Sequence, residues 1–540
     1  MSKIKNGTDV MIRWEFARKL PNAVQSEPIA GEFFAGLSAP ADKLVRESIQ
    51  NSLDAKVGTG PVRVRFTIPA EPVSVTPNSP WLAGLMPHLV AERNGLSSRH
   101  RPSTSLSVLL IEDFGTCGLT GDPAQTDDVA EGWSGQKNNF FYFWRAIGTT
   151  GKGEGDKGSW GLGKSVIPAS SRIHTFFGVS WEKPGGDGRL LGLSVLKTHT
   201  ISGCKQTFTP YGYFGLYASQ DSVAMPVHDK NEVAAFCRDF GVTRQGEPGL
   251  SLVVLDPQLA FSGPPLIASA VINYFFPILD GQLIVEVVAG DKITVIDAES
   301  LCDCERLIPP QMFEEHRVDQ ATLHDMLALA RWSIEQRRAQ AVRLNAPPDS
   351  MPPRWYDSIF AVDGWESAVL RFAAGEAVEF VVPVSVTPKA SSSEMAEFFV
   401  SMKKVTGDQK AKSFYLRDGI TVGGIPEPVA RGLVAITSVE SGALAKFLRR
   451  SENPSHSKWI EDGVVEHYKN PRLLLSFVKG GIAAIHSRLT RVNEGIDADL
   501  LADLFFLEEN ADDAETKPTG GGRGTRPQKV RVPILNAQTQ

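Results

Sequence analysis

Residues 44–55 read LVRESIQNSLDA. Wound as a helix, they place Glu47, Asn51 and Asp54 at i, i+4 and i+7, stacked on one face. Val45, Ile49 and Leu53 form a second stripe, roughly 160–200° away at about 100° per residue. One side is built to bury; the other carries two carboxylates and an amide. Such a face can line a pocket, with a base to poise water, an amide oxygen for a hard cation and an acid to fix a neighbour. The plain alternative is an amphipathic helix with a solvated polar face, and the helix by itself favours that alternative.

The chain around it has 540 residues, too many for one hydrophobic core, so two or three domains are expected. Its 42% hydrophobic and 22% charged residues are those of an ordinary soluble protein, and a net charge of −6 argues against a generally basic nucleic-acid coat. Five scattered cysteines (Cys117, Cys204, Cys237, Cys302 and Cys304), without a secretory signal at the N-terminus, point to a reducing cytoplasm. Cys302 and Cys304 lack the second pair or nearby His that zinc needs. No apolar run reaches the ~18–20 residues that span a bilayer.

Downstream of the opening helix, residues 62–68 (VRVRFTI) alternate as a half-buried strand. Residues 69–104, rich in Pro, Ser and Asn, read as a surface insertion. Residues 107–111 (SVLLI) read as a buried strand running into Glu112-Asp113-Phe114-Gly115-Thr116-Cys117-Gly118. An acid at the end of a buried strand, followed by glycines, is a binding-site arrangement, although Asp-x-Gly alone also fits a simple turn. Residues 140–147 form an aromatic helix-like patch, and residues 175–181, 190–196 and 250–255 further strands. The prolines at 257–265 mark a domain boundary. Beyond it the pattern is mixed α and β, with a helix expected over 320–343 and a strand over 377–386. The Gly-, Thr- and Arg-bearing end of the chain reads as a disordered tail.

Two nucleotide motifs compete for the glycines at 158–165, GSWGLGKS. The first is G-x-x-x-x-G-K-S, the phosphate loop of P-loop NTPases, with Gly158, Gly163, Lys164 and Ser165 in its fixed positions. That loop must follow a buried strand, and the preceding GTTGKGEGDK cannot be one; Pro168 also falls in the first turn of the required helix.

The second reading takes three motifs in order: Glu47-x-x-x-Asn51-x-x-Asp54-Ala55, Asp113-x-Gly115, and Gly158-x-x-Gly161-x-Gly163. Together they resemble the GHKL (Bergerat-fold) ATPase superfamily, which includes gyrase B subunits, MutL proteins, heat-shock chaperones, MORC proteins and histidine-kinase catalytic domains. The resemblance implies an α/β fold: a two-layer α/β sandwich ATP-binding domain over 1–258 with a lid at about 116–160. A second α/β, transducer-like domain over 259–507 and a disordered tail over 508–540 would follow. It implies Glu47 as the general base that activates water, and Asn51 as the Mg2+ ligand. Asp54 would be a supporting acid, Asp113 the acceptor for the adenine amino group, and Gly115 the residue that lets the base approach. Gly158, Gly161, Leu162, Gly163, Lys164 and Ser165 would form the phosphate loop. The family's second box is usually D-x-G-x-G, so Gly118 stands one residue out of place. Its later Gly-Thr pair reads Gly249-Leu250-Ser251 here, so that either Ser251 supplies the hydroxyl one residue late or the contact is lost. A lysine from the second domain would sense the γ-phosphate, drawn from Lys403, Lys404, Lys410 and Lys412.

The function so implied is a cytoplasmic, Mg2+-dependent ATPase closing as a homodimeric clamp on ATP. Stand-alone prokaryotic proteins of MORC and MutL type act in anti-phage defence and DNA repair, which makes DNA or a partner protein of a multi-gene system the implied target. The alternatives are the P-loop NTPase and a scaffold that senses ATP without hydrolysing it.

Overall fold

The computed structural model describes residues 2–5, 8–22, 40–75, 79–96, 105–127, 138–146, 165–204, 206–219, 222–258, 260–316, 318–336, 338–348, 351–406, 410–423, 425–426, 428, 430–452 and 458–491, with side chains from residue 11 onward. Residues 1–490 form one compact unit, mixed α/β, built on two sheets. The expected tail lies outside the described residues.

The opening helix is α1 (Pro40–Asp54), with Asp42 in its first turn, where a carboxylate suits the positive end of the helix dipole. Its apolar stripe is buried as the spacing predicts: Leu44, Val45 and Ile49 are sealed from solvent and Leu53 packs at the margin. Glu47 is half-buried, while Asn51 and Asp54 are exposed.

The first sheet comprises β1 (Ser2–Lys5), β2 (Thr8–Arg18), β3 (Val62–Ile68), β4 (Val108–Phe114), β5 (Thr175–Trp181), β6 (Arg189–Val195), β7 (His199–Thr200), β8 (Thr207–Tyr217), β9 (Gly249–Leu255), β10 (Leu283–Ala289) and β11 (Lys292–Ile296). Their order is β1-β2-β8-β6-β5-β9-β4-β3-β10-β11, with β7 beside β8. All pairs are antiparallel except β10 with β3, where Leu283 lies opposite Val62. The sheet therefore reaches past the boundary expected at 258. Residues 257–265 turn the chain into a helix that returns it to the same sheet.

One face of the sheet packs on α1, as the sandwich requires; the other, over β2, β5, β8 and β9, is covered as well by α2 (Lys230–Phe240) and residues 79–91. Here the surface insertion expected over 69–104 is corrected. Trp81, Leu82, Leu85 and Leu89 are buried against Trp14, Phe177, Phe214 and Phe236, because a few large apolar groups outweigh the surrounding Pro and Ser.

After β9, α3 (Gly263–Leu279) lies along α1. It is interrupted at Tyr274 (φ −127°, ψ 18°), three residues before Pro277, as a proline that clashes with the preceding turn demands. α4 (Gln320–Gln336) ends earlier than the 343 expected, and Val342–Arg343 instead forms the short strand β12. The second sheet adds β13 (Val378–Val386), β14 (Glu394–Lys404), β15 (Lys412–Arg417), β16 (Ile420–Val422) and β17 (Leu433–Val439), in the order β12-β13-β14-β17-β15-β16. α3 and α4 fill the space between the sheets in one continuous core. The far side of the second sheet packs on α5 (Trp365–Ala373), α6 (Gly442–Ser451), α7 (Pro471–Lys479) and α8 (Gly481–Thr490).

Candidate nucleotide site

Two of the three sequence motifs meet at the junction of α1 and β4. On α1, the Asn51 amide Nδ2 donates to Glu47 Oε1 at 2.9 Å, one helical turn apart. Ser52 lies on the side turned to the sheet, and its hydroxyl approaches Asp113 Oδ2 at 3.3 Å while also donating to the Ser48 carbonyl at 2.8 Å. The motif spacing could not have shown this link, since Ser52 sits between the motif positions.

Asp113 occupies the penultimate position of β4. Period two turns it toward α1 and turns Glu112 to the opposite face. Its side chain is 13% exposed. Oδ1 accepts the Leu250 amide at 2.7 Å and the Thr116 hydroxyl at 2.8 Å. Burial pushes the Asp113 carboxyl above its ordinary range, opposed by Arg244, the Leu250 amide and the two hydroxyls.

Arg244 is the residue that sequence reasoning missed. Its side chain is fully enclosed, 3.5 Å from Asp113 Oδ1, and it donates to the carbonyls of Asp113, Pro248 (2.8 Å) and Leu250 (3.1 Å). Its guanidinium lies 4.5 Å from the Phe114 ring centre. Glu112, wholly buried behind the strand, accepts from the Thr243 hydroxyl at 2.7 Å, the Thr243 amide at 3.1 Å and the Arg244 amide at 3.2 Å. Of the two readings of Ser251, the register favours the lost contact. Ser251 lies opposite Glu112, donates to it at 3.1 Å and accepts from Arg244 Nε at 3.0 Å, on the face away from Asp113.

The glycines divide by what surrounds them. Gly115 is exposed with φ +77°, at the turn where β4 ends. Gly118, out of place in the motif, is demanded by packing: a Cβ there would stand 2.3 Å from the Trp181 carbonyl, with φ +66°. Gly158, Gly161, Leu162, Gly163 and Lys164 lie outside the described residues. Ser165 is buried and precedes a helix of only four residues, Val166–Ala169. A phosphate loop of the P-loop kind opens a long helix, so this geometry disfavours that alternative. Within the expected lid, residues 139–144 form a short helix whose Trp144 stacks on Phe176, ring centres 5.4 Å apart.

The second sheet reaches α1 through β16. Arg46 donates to the Thr421 carbonyl at 2.9 Å and to Asn273 Oδ1 at 2.6 Å, and Asn273 donates to Asp42 at 2.6 Å. The Tyr274 hydroxyl donates to the Arg46 carbonyl at 2.6 Å. Asp54 lies 3.9 Å from Arg449 of α6, which bonds Asp418 at 2.8 Å. The candidate sensor lysines sit at the other end. Lys412 starts β15 and Lys404 ends β14, beside Phe372, roughly 16–20 Å of strand from the end of the sheet that meets α1. Arg449, on a helix that packs on the second sheet, is thus a cation that the structure brings to the polar face of α1.

Among the described residues, no cluster of three His, Cys, Asp or Glu side chains is placed to hold a metal, and no helix is long and apolar enough to cross a membrane. No protein-family model and no curated protein matches the chain. Among solved structures, two of the ATPase region of Saccharomyces cerevisiae topoisomerase II, one of them bound to ICRF-187 (dexrazoxane), resemble it over 83% of its length and 85% and 84% of theirs. Sequence identity is 9% and 8% and the TM-score 0.30 in both cases, a likeness too slight to carry an argument.

Proposed function

We propose that the chain binds ATP between α1 and the end of β4 and hydrolyses it, as the GHKL resemblance of its motifs implies. The observation that supports this best is the Ser52–Asp113 contact. It joins the helix bearing Glu47 and Asn51 to the strand end bearing a nearly buried carboxylate, so residues far apart in sequence share one surface.

In this reading Asp113 accepts from the amino group of the base, and Gly115 lets the ring approach. Glu47 takes a proton from the water that attacks the γ-phosphorus; the bond to the bridging oxygen breaks, giving ADP and inorganic phosphate. Asn51 spends its amide N–H on Glu47, which orients that carboxylate and leaves the amide oxygen as a hard donor. One protein oxygen beside phosphates and water suits Mg2+, which when bound neutralises charge on the phosphates. Lys164 and the glycines at 158–163 are proposed to hold the phosphates on the strength of the motif alone. The grip of β16 on Arg46, and of Arg449 on Asp54, supports a second role, in which the second sheet reports the state of the nucleotide. ATP-driven homodimerisation around DNA or a partner protein is the corresponding proposal for the assembly.

The test is Mg2+-dependent phosphate release by the purified chain and its Glu47→Ala variant. The variant should keep its ATP affinity and lose turnover by about 10²–10⁴-fold, the range for removal of a general base. Retained turnover would sink the assignment of Glu47. Tight binding with no turnover in the wild type would make the protein an ATP-sensing scaffold.

A further inference from the structure

We infer that Arg244 is a positioning residue that sets base selectivity: it holds Asp113 so that one carboxylate oxygen, Oδ2, remains as an acceptor for an amino-bearing base. The inference rests on the adenine reading of Asp113 and adds the group that enforces it.

The loop 244–250, RQGEPGL, is wound around the guanidinium. Nη1 donates to the carbonyls of Glu247 (3.2 Å) and Pro248 (2.8 Å), and Nη2 to that of Leu250 (3.1 Å) and to Asp113 on the neighbouring strand. The loop's last amide, Leu250 N–H, is the one that pins Asp113 Oδ1. Gly249 makes the approach possible, because a Cβ there would stand 2.5 Å from Arg244 Nη1 and 2.6 Å from Asp113 Oδ1. Oδ1 is therefore saturated by Leu250 and Thr116. Among the described residues, Oδ2 meets only the Ser52 hydroxyl at 3.3 Å, a proton shared with the Ser48 carbonyl. One acceptor site is left, and it faces α1.

An ionised carboxylate only accepts hydrogen bonds, so an exocyclic amino group fits and a carbonyl at the same position is repelled. Protonated, the same group donates, and the preference lapses. The charged and titratable groups that act on Asp113 are Arg244 from the 244–250 loop and Cys117 after β4, and those that act on Arg244 in turn are Glu112 behind β4, Glu247 in the loop and Arg63 of β3. Burial favours the protonated acid and Arg244 is the largest influence against it.

The experiment measures binding of ATP and of inosine triphosphate, whose base carries a carbonyl where adenine carries the amino group, from neutral to acidic pH. Wild type, Arg244→Met, Arg244→Lys and Asp113→Asn are compared, each with a thermal melt. Wild type should favour ATP by about a hundredfold, the worth of one charge-assisted hydrogen bond gained and one repulsion avoided. A folded Arg244→Met should lose about tenfold of that preference, and its preference should vanish at a higher pH than in wild type. Arg244→Lys, which keeps the charge but not the fork, should bind ATP less tightly and lose its preference near the wild-type pH. A folded Arg244→Met with wild-type preference and pH profile overturns the inference and leaves Arg244 as the template of its loop. If that variant does not fold, undiminished ATP affinity in Arg244→Lys overturns it. Asp113→Asn isolates the reading beneath: ATP bound there as in wild type overturns the adenine assignment, and the inference with it. Lost binding in Asp113→Asn with unchanged preference in Arg244→Met overturns the inference alone.

Discussion

Gly249→Ala tests whether the Asp113 carboxylate, and not merely the fold around it, carries nucleotide affinity. Gly249 has φ +136°, and its added methyl would meet Asp113 Oδ1 and the Asp113 carbonyl at 2.6 Å and Arg244 Nη1 at 2.5 Å. Backbone strain in this region costs about 1–3 kcal/mol. The carboxylate must then move off Leu250 N–H and out of line with the bound base, forfeiting the proposed bond from the amino group, about 1.5–3 kcal/mol for a hydrogen bond to a charged group, or roughly 10- to 150-fold in affinity. Gly84→Ala is the control. Its φ is +88° and its methyl would meet the Trp14 carbonyl at 3.0 Å, a strained position on the face of the sheet turned away from the carboxylate. Thermal denaturation should show both variants destabilised. Titration with ATP, followed calorimetrically, should show the large affinity loss in Gly249→Ala alone. Equal losses in the two variants, or none in Gly249→Ala, would refute the reasoning.

Two further outcomes concern stability. Arg417 and Glu452 form an ion pair with both side chains sealed from solvent, including an Nη2–Oε2 bond of 3.0 Å; Glu452→Ala leaves the guanidinium short of its main partner and should cost about 3–5 kcal/mol in chemical denaturation, a value under 1 kcal/mol arguing against it. His88 and His199 share a buried N–N contact of 2.8 Å, and burial, helped by His199, pushes His88 down to about 3. Its neutral form is the folded form, so the stability it lends is complete above the unfolded value near 6.5 and lost as pH falls toward 3. At about pH 5 the loss should be about 2 kcal/mol, seen as a falling melting temperature that flattens in His88→Gln; an unchanged slope in the variant would count against it.

What the sequence revealed was whatever repeats locally. Val45, Ile49 and Leu53 mark the buried stripe of α1 by period alone, and VRVRFTI marks β3 with its observed bounds. β8 escaped because Pro210, Gly212 and Gly215 break its alternation. The structure gives one reason, since a Cβ at Gly212 would lie 2.3 Å from the Phe16 ring. α2 escaped although its signals were present, with Asp229 capping its first turn and Gly241 closing it at φ +76°. The site was half legible: Glu47, Asn51 and Asp113 stand in readable motifs. Arg244 stands in none, because its partners are spread from Asp113 to Ser251 and converge only once β4 and β9 pair. Ser251 stayed open between two readings for the same reason, as proximity in sequence to Gly249 says nothing about which face of the strand it occupies.

The parallel pairing of β10 with β3 has a consequence for how the chain is made. β3 and α1 emerge early in synthesis, yet the strand that closes the β3 edge comes only with Leu283–Ala289, and α3, which covers α1, only just before it. Until then Val62, Val64 and Phe66 present an open, apolar edge that other strands can join. Contacts so distant in sequence form slowly, and a half-made sheet with an unpaired edge is exposed to aggregation while they do. The candidate nucleotide site therefore becomes rigid late, when the second half of the chain has arrived to hold α1 in place.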